Sequence, residues 1–99
     1  MKAATEIFEI IAEGKPYMVK ATFFLNGMEQ IRFRVSVNDS PLCIFGWDEG
    51  LDRFAILKDA RDPDIHPAAE MIIARKLENL FAKKQAAEYL NYTIHYTNL

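Results

Sequence analysis

Few residues of this 99-residue chain have the chemistry of a reactive centre. Cys43 is the one thiol. A nucleophilic thiol needs a neighbouring base or an electropositive setting that lowers its pKa. The two histidines are His66 and His95, and neither spacing implies an imidazole beside Cys43. Cys43 therefore reads as a small half-buried hydrophobe. His66, just before Pro67, reads as a cap or surface residue, and His95 as a strand residue.

Asp48 and Glu49 are adjacent carboxylates that flank Gly50, which suits solvated turn residues better than an acid–base pair. Asp59, Asp62 and Asp64 lack the spacing and the closing Glu of a calcium loop. Zinc-type Cys/His spacing, a Gly-rich phosphate loop and the common hydrolase motifs do not occur. The expectation is a non-enzymatic protein with no cofactor and no metal site.

Composition bounds the setting. Hydrophobic residues make up 51% of the chain and charged residues 26%, which is ordinary for a globular domain. The length suits a single domain over 1–99, with no repeat and no linker. A net charge of −2 argues against a strongly basic nucleic-acid binder but leaves room for a local basic patch. No apolar run approaches the ~20 residues of a membrane helix. The start, MKAATEIFEII, carries acids inside its first apolar run, unlike a signal peptide. One cysteine forms no internal disulfide, and a reducing cytoplasm is the default.

The elements that must position any site can be read from periodicity. Glu6, Glu9 and Glu13 recur at helical spacing opposite Ile7, Ile10 and Ile11, which predicts a short N-terminal helix stopped at Gly14 and Pro16. Tyr17 to Leu25 then alternates, with Tyr17, Val19, Ala21, Phe23 and Leu25 on one face. Ile31, Phe33, Val35 and Val37 repeat the pattern after Asn26-Gly27. A two-residue loop there would set apolar residues against polar ones. A three-residue loop with a Gly27 bulge pairs Leu25 with Glu29 and Phe23 with Ile31.

Asn38-Asp39-Ser40-Pro41 is the next turn. A four-residue loop pairs Val37 with Leu42 and turns Ile44 and Gly46 to the core, leaving Cys43, Phe45 and Trp47 on the other face. A three-residue loop would swap these sets. Pairing Trp47 with Leu51 then sets Phe45 beside Arg53 and Ile44 beside Phe54, with Gly50 at positive φ.

Residues 58–64 form a polar loop. Pro67 opens a long helix, capped by Asp64 or His66, whose stripe of Ile73, Leu77, Leu80, Phe81 and Ala87 faces the sheet. The tail, 91–99, is β-prone and reads as an extra strand, an exchanged arm or a frayed end. The fold class is α+β: a short helix, a four-stranded antiparallel meander and a long C-terminal helix on one sheet face, with an extra C-terminal strand as one of the readings of the tail.

The uncovered face is where function is expected. It collects Phe24, Phe45 and Trp47 with Lys20, Arg32, Arg34 and Arg53, and sets Arg34 beside Phe45 and Arg32 beside Trp47. A face this apolar calls for a cover. The reading is a homodimer or another protein partner, anchored by Phe24, Phe45 and Trp47 with Arg32, Arg34 and Arg53 around them. The alternative is single-stranded nucleic acid, its bases stacked on the same aromatics, although no RNP-type motif occurs.

Overall fold

The computed structural model describes residues 5–27, 30–57 and 65–97, with Asn26 and residues 86–97 described by backbone alone. Five strands, β1 (Thr5–Ala12), β2 (Lys15–Asn26), β3 (Gln30–Val37), β4 (Cys43–Asp48) and β5 (Arg53–Ile56), are followed by one helix, α1 (Pro67–Thr97). The strands form an antiparallel meander in the order β1-β2-β3-β4-β5. The sheet curls so that both edge strands, β1 and β5, lie against α1. The class is α+β, with a single helix on one sheet face.

The predicted N-terminal helix is a strand. Thr5, Ile7, Glu9 and Ile11 fall on one face, and Glu6, Phe8, Ile10 and Ala12 on the other. Three β-branched isoleucines favour that choice. Glu13 and Gly14 both have positive φ, 51° and 77°, as a two-residue hairpin turn between Ala12 and Lys15 requires. Gly14 thus turns a hairpin; it does not stop a helix. Pro16 lies on the part of β2 that β3 does not reach, so its missing N–H interrupts no second ladder.

Between β2 and β3 the predicted faces hold but the partners move by two. Phe23 pairs with Phe33, and Asn26 with Gln30. Gly27 is left-handed, with φ 58°.

The turn after Val37 overturns the predicted register. Asn38 and Asp39 both have positive φ, and the Ser40 amide donates to the Val37 carbonyl at 3.0 Å. That is a tight two-residue turn. Carried on regularly, it would pair Val35 with Leu42. The ladder instead pairs Val35 with Cys43, one residue further along. The extra residue is taken up across Ser40–Leu42, where Ser40 Oγ accepts from the Val37 amide and Ser36 Oγ donates to the Ser40 carbonyl. Because strand alternation has a period of two, every side chain of β4 changes face. Cys43 and Phe45 enter the core, and Ile44 and Gly46 leave it.

The β4–β5 register differs too. Trp47 pairs with Phe54, not Leu51, and Asp48 with Arg53. The positive φ of that turn belongs to Asp52, not Gly50. The tail corrects the last element, since the backbone of α1 continues through Thr97 where a strand is predicted. The polar loop, Asp64 and the aspartates 59 and 62 lie outside the described residues, as does the side chain of His95.

The helix start matches its prediction. Pro67 is its first residue, and His66 Nδ1 accepts from the Ala68 amide at 3.1 Å. With Nδ1 accepting, the ring proton sits on Nε2, which points to Glu13 Oε2 at 3.3 Å and ties the first hairpin to the helix. Ile73 and Leu77 are fully buried, while Arg75, Glu78, Asn79 and Lys83 are exposed. The core lies between them and Val19, Val35, Phe33, Phe45 and Phe54. Phe33 and Phe54 meet edge to face at 5.5 Å, and Phe54 continues to Phe81 at 6.3 Å.

The β4 register makes a sharp prediction. Phe45 is fully buried and Phe24 only half-buried. Phe45→Ala is expected to lower unfolding stability in urea by about 3–5 kcal/mol. Phe24→Ala is expected to cost under about 1.5 kcal/mol. The reverse ranking would place Phe45 on the outer face.

Candidate functional site

The face turned away from α1 follows from the observed registers. It carries Ile7, Glu9 and Ile11 on β1, and Met18, Lys20, Thr22 and Phe24 on β2. Arg32, Arg34 and Ser36 follow on β3, Ile44, Gly46 and Asp48 on β4, and Ala55 on β5. Ile7 and Ile11 are more than 60% exposed, and Met18 is 43% exposed. Phe24 and Ile44 are half-buried by their neighbours on the face.

Of the six predicted binding residues, three meet on this face. Phe24 and Arg34 stack, with the guanidinium carbon 4.0 Å from the ring centroid. A contact of this kind contributes about 0.5–1 kcal/mol at an exposed site and fixes the cation over the apolar surface. Phe24 is the cross-strand partner of Arg32. Arg32 lies across Gly46, where a Cβ would come within 2.5 Å of its Nη1. Its other nitrogen donates to Gln30 Oε1 at 3.1 Å. The missing side chain at Gly46 is what lets this arginine lie flat on the sheet.

Phe45 and Trp47 are on the helix side, and Arg53, on the outer face by its pairing with Asp48, turns its side chain away from it. Phe45 is in the core beneath α1. Trp47 is on the helix side, edge to face with Phe54 at 5.3 Å and still 40% exposed. Arg53 bends round the free edge of β5, donating to the Phe54 carbonyl at 2.9 Å and reaching Glu70 of α1 at 3.5 Å. The predicted pairs of Arg34 with Phe45 and Arg32 with Trp47 are replaced by Arg34 on Phe24 and Arg32 on Gly46.

Charge on the face is mixed. Lys20 Nζ is 3.2 Å from Asp39 Oδ1. Glu9 stands across from Met18, and Asp48, whose Oδ1 accepts from the Leu51 amide, closes the β4 end. Arg32 and Arg34 are thus set against Glu9 and Asp48. Ile7, Ile11 and Ile44 are the face residues that sequence reasoning missed. The period-two pattern of Thr5–Ala12 was the available signal for the first two. The three-residue loop, the weighed alternative, carried the signal for Ile44.

Cys43 is buried, and its thiol lies 3.5 Å from the Val35 carbonyl, the place of a small core residue. Among the described residues no group of three His, Cys, Asp or Glu side chains is placed to hold a metal ion. Among the described residues no helix is long and apolar enough to cross a membrane. No family model, no curated protein and no solved structure matches this chain.

The single tryptophan reports the register directly. Acrylamide is expected to quench Trp47 fluorescence partially, and to the same degree across a dilution series, because Trp47 is off the open face. Shielding that disappears on dilution would put Trp47 in a self-association interface and count against the β3–β4 register that turns it to the helix side.

Proposed function

We propose that the open sheet face is a self-association surface and that the protein is a non-enzymatic homodimer packed sheet to sheet. The observation that carries this reading is the exposure of Ile7, Ile11 and Met18 beside Phe24, Ile44 and two flat-lying arginines on one continuous face. Several large apolar side chains left in solvent on one sheet face mark an interaction site. Met, Phe and Arg are the residue types enriched in such interfaces.

The charge pattern favours a second copy as the occupant. A polyanion would favour a face of one sign. Here Lys20 already faces Asp39, and Arg32 and Arg34 on β3 lie between strands that carry Glu9 and Asp48. A copy displaced across the strands brings acid over base, which a two-fold, self-complementary contact exploits twice. The single-stranded nucleic-acid reading has lost two of its three stacking rings, since Phe45 and Trp47 are on the helix side. A protein with one cysteine, and that one buried, suits a reducing cytoplasm.

Light scattering over a dilution series tests the proposal. The expected mass at high concentration is twice the 11.4 kDa of the chain. Ile7→Lys combined with Met18→Lys is expected to give the monomer mass with a thermal midpoint within a few degrees of the parent, because both side chains are exposed in the single chain. A parent that stays monomeric at millimolar concentration overturns the proposal. So does a variant that folds and still dimerises. Salt-sensitive binding of an oligothymidylate by a monomeric parent would transfer the face to nucleic acid.

A further inference from the structure

The helix side holds a second feature that sheet-face association does not use. The helix seals the core over Ala69, Ile73, Ala74 and Leu77, each no more than 1% exposed. One turn later the seal opens. Leu80 and Phe81 are only half-buried, as are Phe23 across from them and Tyr17 further down β2. Between this part of α1 and strands β1–β3 lies a cleft of about 430 Å³. That is within the range of small-ligand sites, about 300–1,000 Å³.

Its floor and walls are apolar and largely aromatic, formed by Phe23, Phe33, Leu80 and Phe81. Phe23 and Phe33 meet edge to face at 5.7 Å; Phe33, 3% exposed, forms the floor, and the half-buried Phe23 and Phe81 present the accessible ring surface. The rim is cationic. Lys83 and Lys84 both line it, opposed among the described residues by the carboxylate of Glu6. Lys84 is exposed but folds back onto the cleft. Its ammonium is drawn over the Phe23 ring, 4.7 Å from the centroid. Among the described residues no carboxylate lies within 4.0 Å of either ammonium.

We propose that this cleft is a binding site for a small amphipathic carboxylate, with an aromatic body seated among Phe23, Phe33 and Phe81 and the carboxylate held by Lys83 and Lys84. The apolar walls draw in the body by excluding water. An ammonium resting on a ring face is held only by the ring quadrupole, so a carboxylate at the mouth gives it a full opposite charge and a charge-assisted hydrogen bond. Among the described residues the rim carries two lysines and one glutamate, an excess of positive charge that suits an anion. The site is on the opposite side of the sheet from the proposed dimer face, so the two readings stand or fall separately.

The test uses 1-naphthaleneacetate and its uncharged isostere 1-naphthaleneacetamide, titrated into the full chain and followed by backbone and aromatic NMR shifts. The carboxylate is expected to saturate, to shift Phe23, Phe33 and Phe81, and to bind about tenfold more tightly than the amide, as one charged hydrogen bond implies. Lys83→Gln with Lys84→Gln changes two exposed side chains. It is expected to bring the carboxylate down to the affinity of the amide while leaving the amide unchanged. Equal affinity of the two compounds in the parent overturns the proposal. So does a carboxylate preference that survives the double substitution, or shifts confined to Phe24 and Arg34 on the other face.

Discussion

One helix covers one face of a sheet, and most of this structure follows from that limit. Five strands spaced about 4.8 Å apart span about 19 Å, whereas a helix with its side chains is about 10–12 Å across. A flat sheet would leave strands uncovered on both sides of the helix. The sheet curls instead, bringing β1 and β5 both against α1. Over the straight part of the contact Ile73 and Leu77 fill the trough completely. Further along, a cleft stands open beside Phe23 and Phe81. The outer face of the sheet has no such cover among the described residues, and it is there that Ile7, Ile11 and Met18 stay in solvent.

The aromatic residues record how the inner layer is bound together. Phe23, Phe33, Phe54 and Phe81 form a chain of edge-to-face contacts that crosses three strands and ends on the helix, with Trp47 joined through Phe54. Phe54 and Trp47 occupy a pair whose backbone groups do not bond across β4 and β5, since the Leu57 amide donates to Ile44 and fixes the alternation. Side chains approach most closely at such pairs. The outer face has a different character. Its aromatic, Phe24, is used as a platform for a guanidinium, and its glycine as a recess for another.

Much of this was legible in the residues. The β2 and β3 strands and their faces, the left-handed Gly27, the helix start at Pro67, the cap at His66 and the buried Ile73 and Leu77 all follow from alternation, turn chemistry and helical spacing. What failed did so for identifiable reasons. In TEIFEIIA the glutamates satisfy a helical period while the full set of residues satisfies a strand period, and the hairpin at Glu13-Gly14 decides between them. At Asn38–Leu42 a tight turn is followed by one extra residue, and no local propensity records that offset. A single residue there inverted β4 and moved Phe45 and Trp47 off the face where they were expected. Phe24, Arg32 and Arg34 kept their place because they lie on strands before the offset. In the tail, β-branched and aromatic residues favour a strand locally, but the α1 backbone runs on through Thr97.

The two edges of the sheet are not equivalent. β5 has four residues, and the outward carbonyl of Phe54 is already occupied by Arg53, which is itself anchored to Glu70. β1 has eight residues and, among the described residues, β2 as its one strand neighbour. Strand-to-strand growth therefore has one docking end and one stopped end. Two chains joined along β1 would consume both docking ends at once, so that mode of assembly closes at a pair and does not propagate into a fibre.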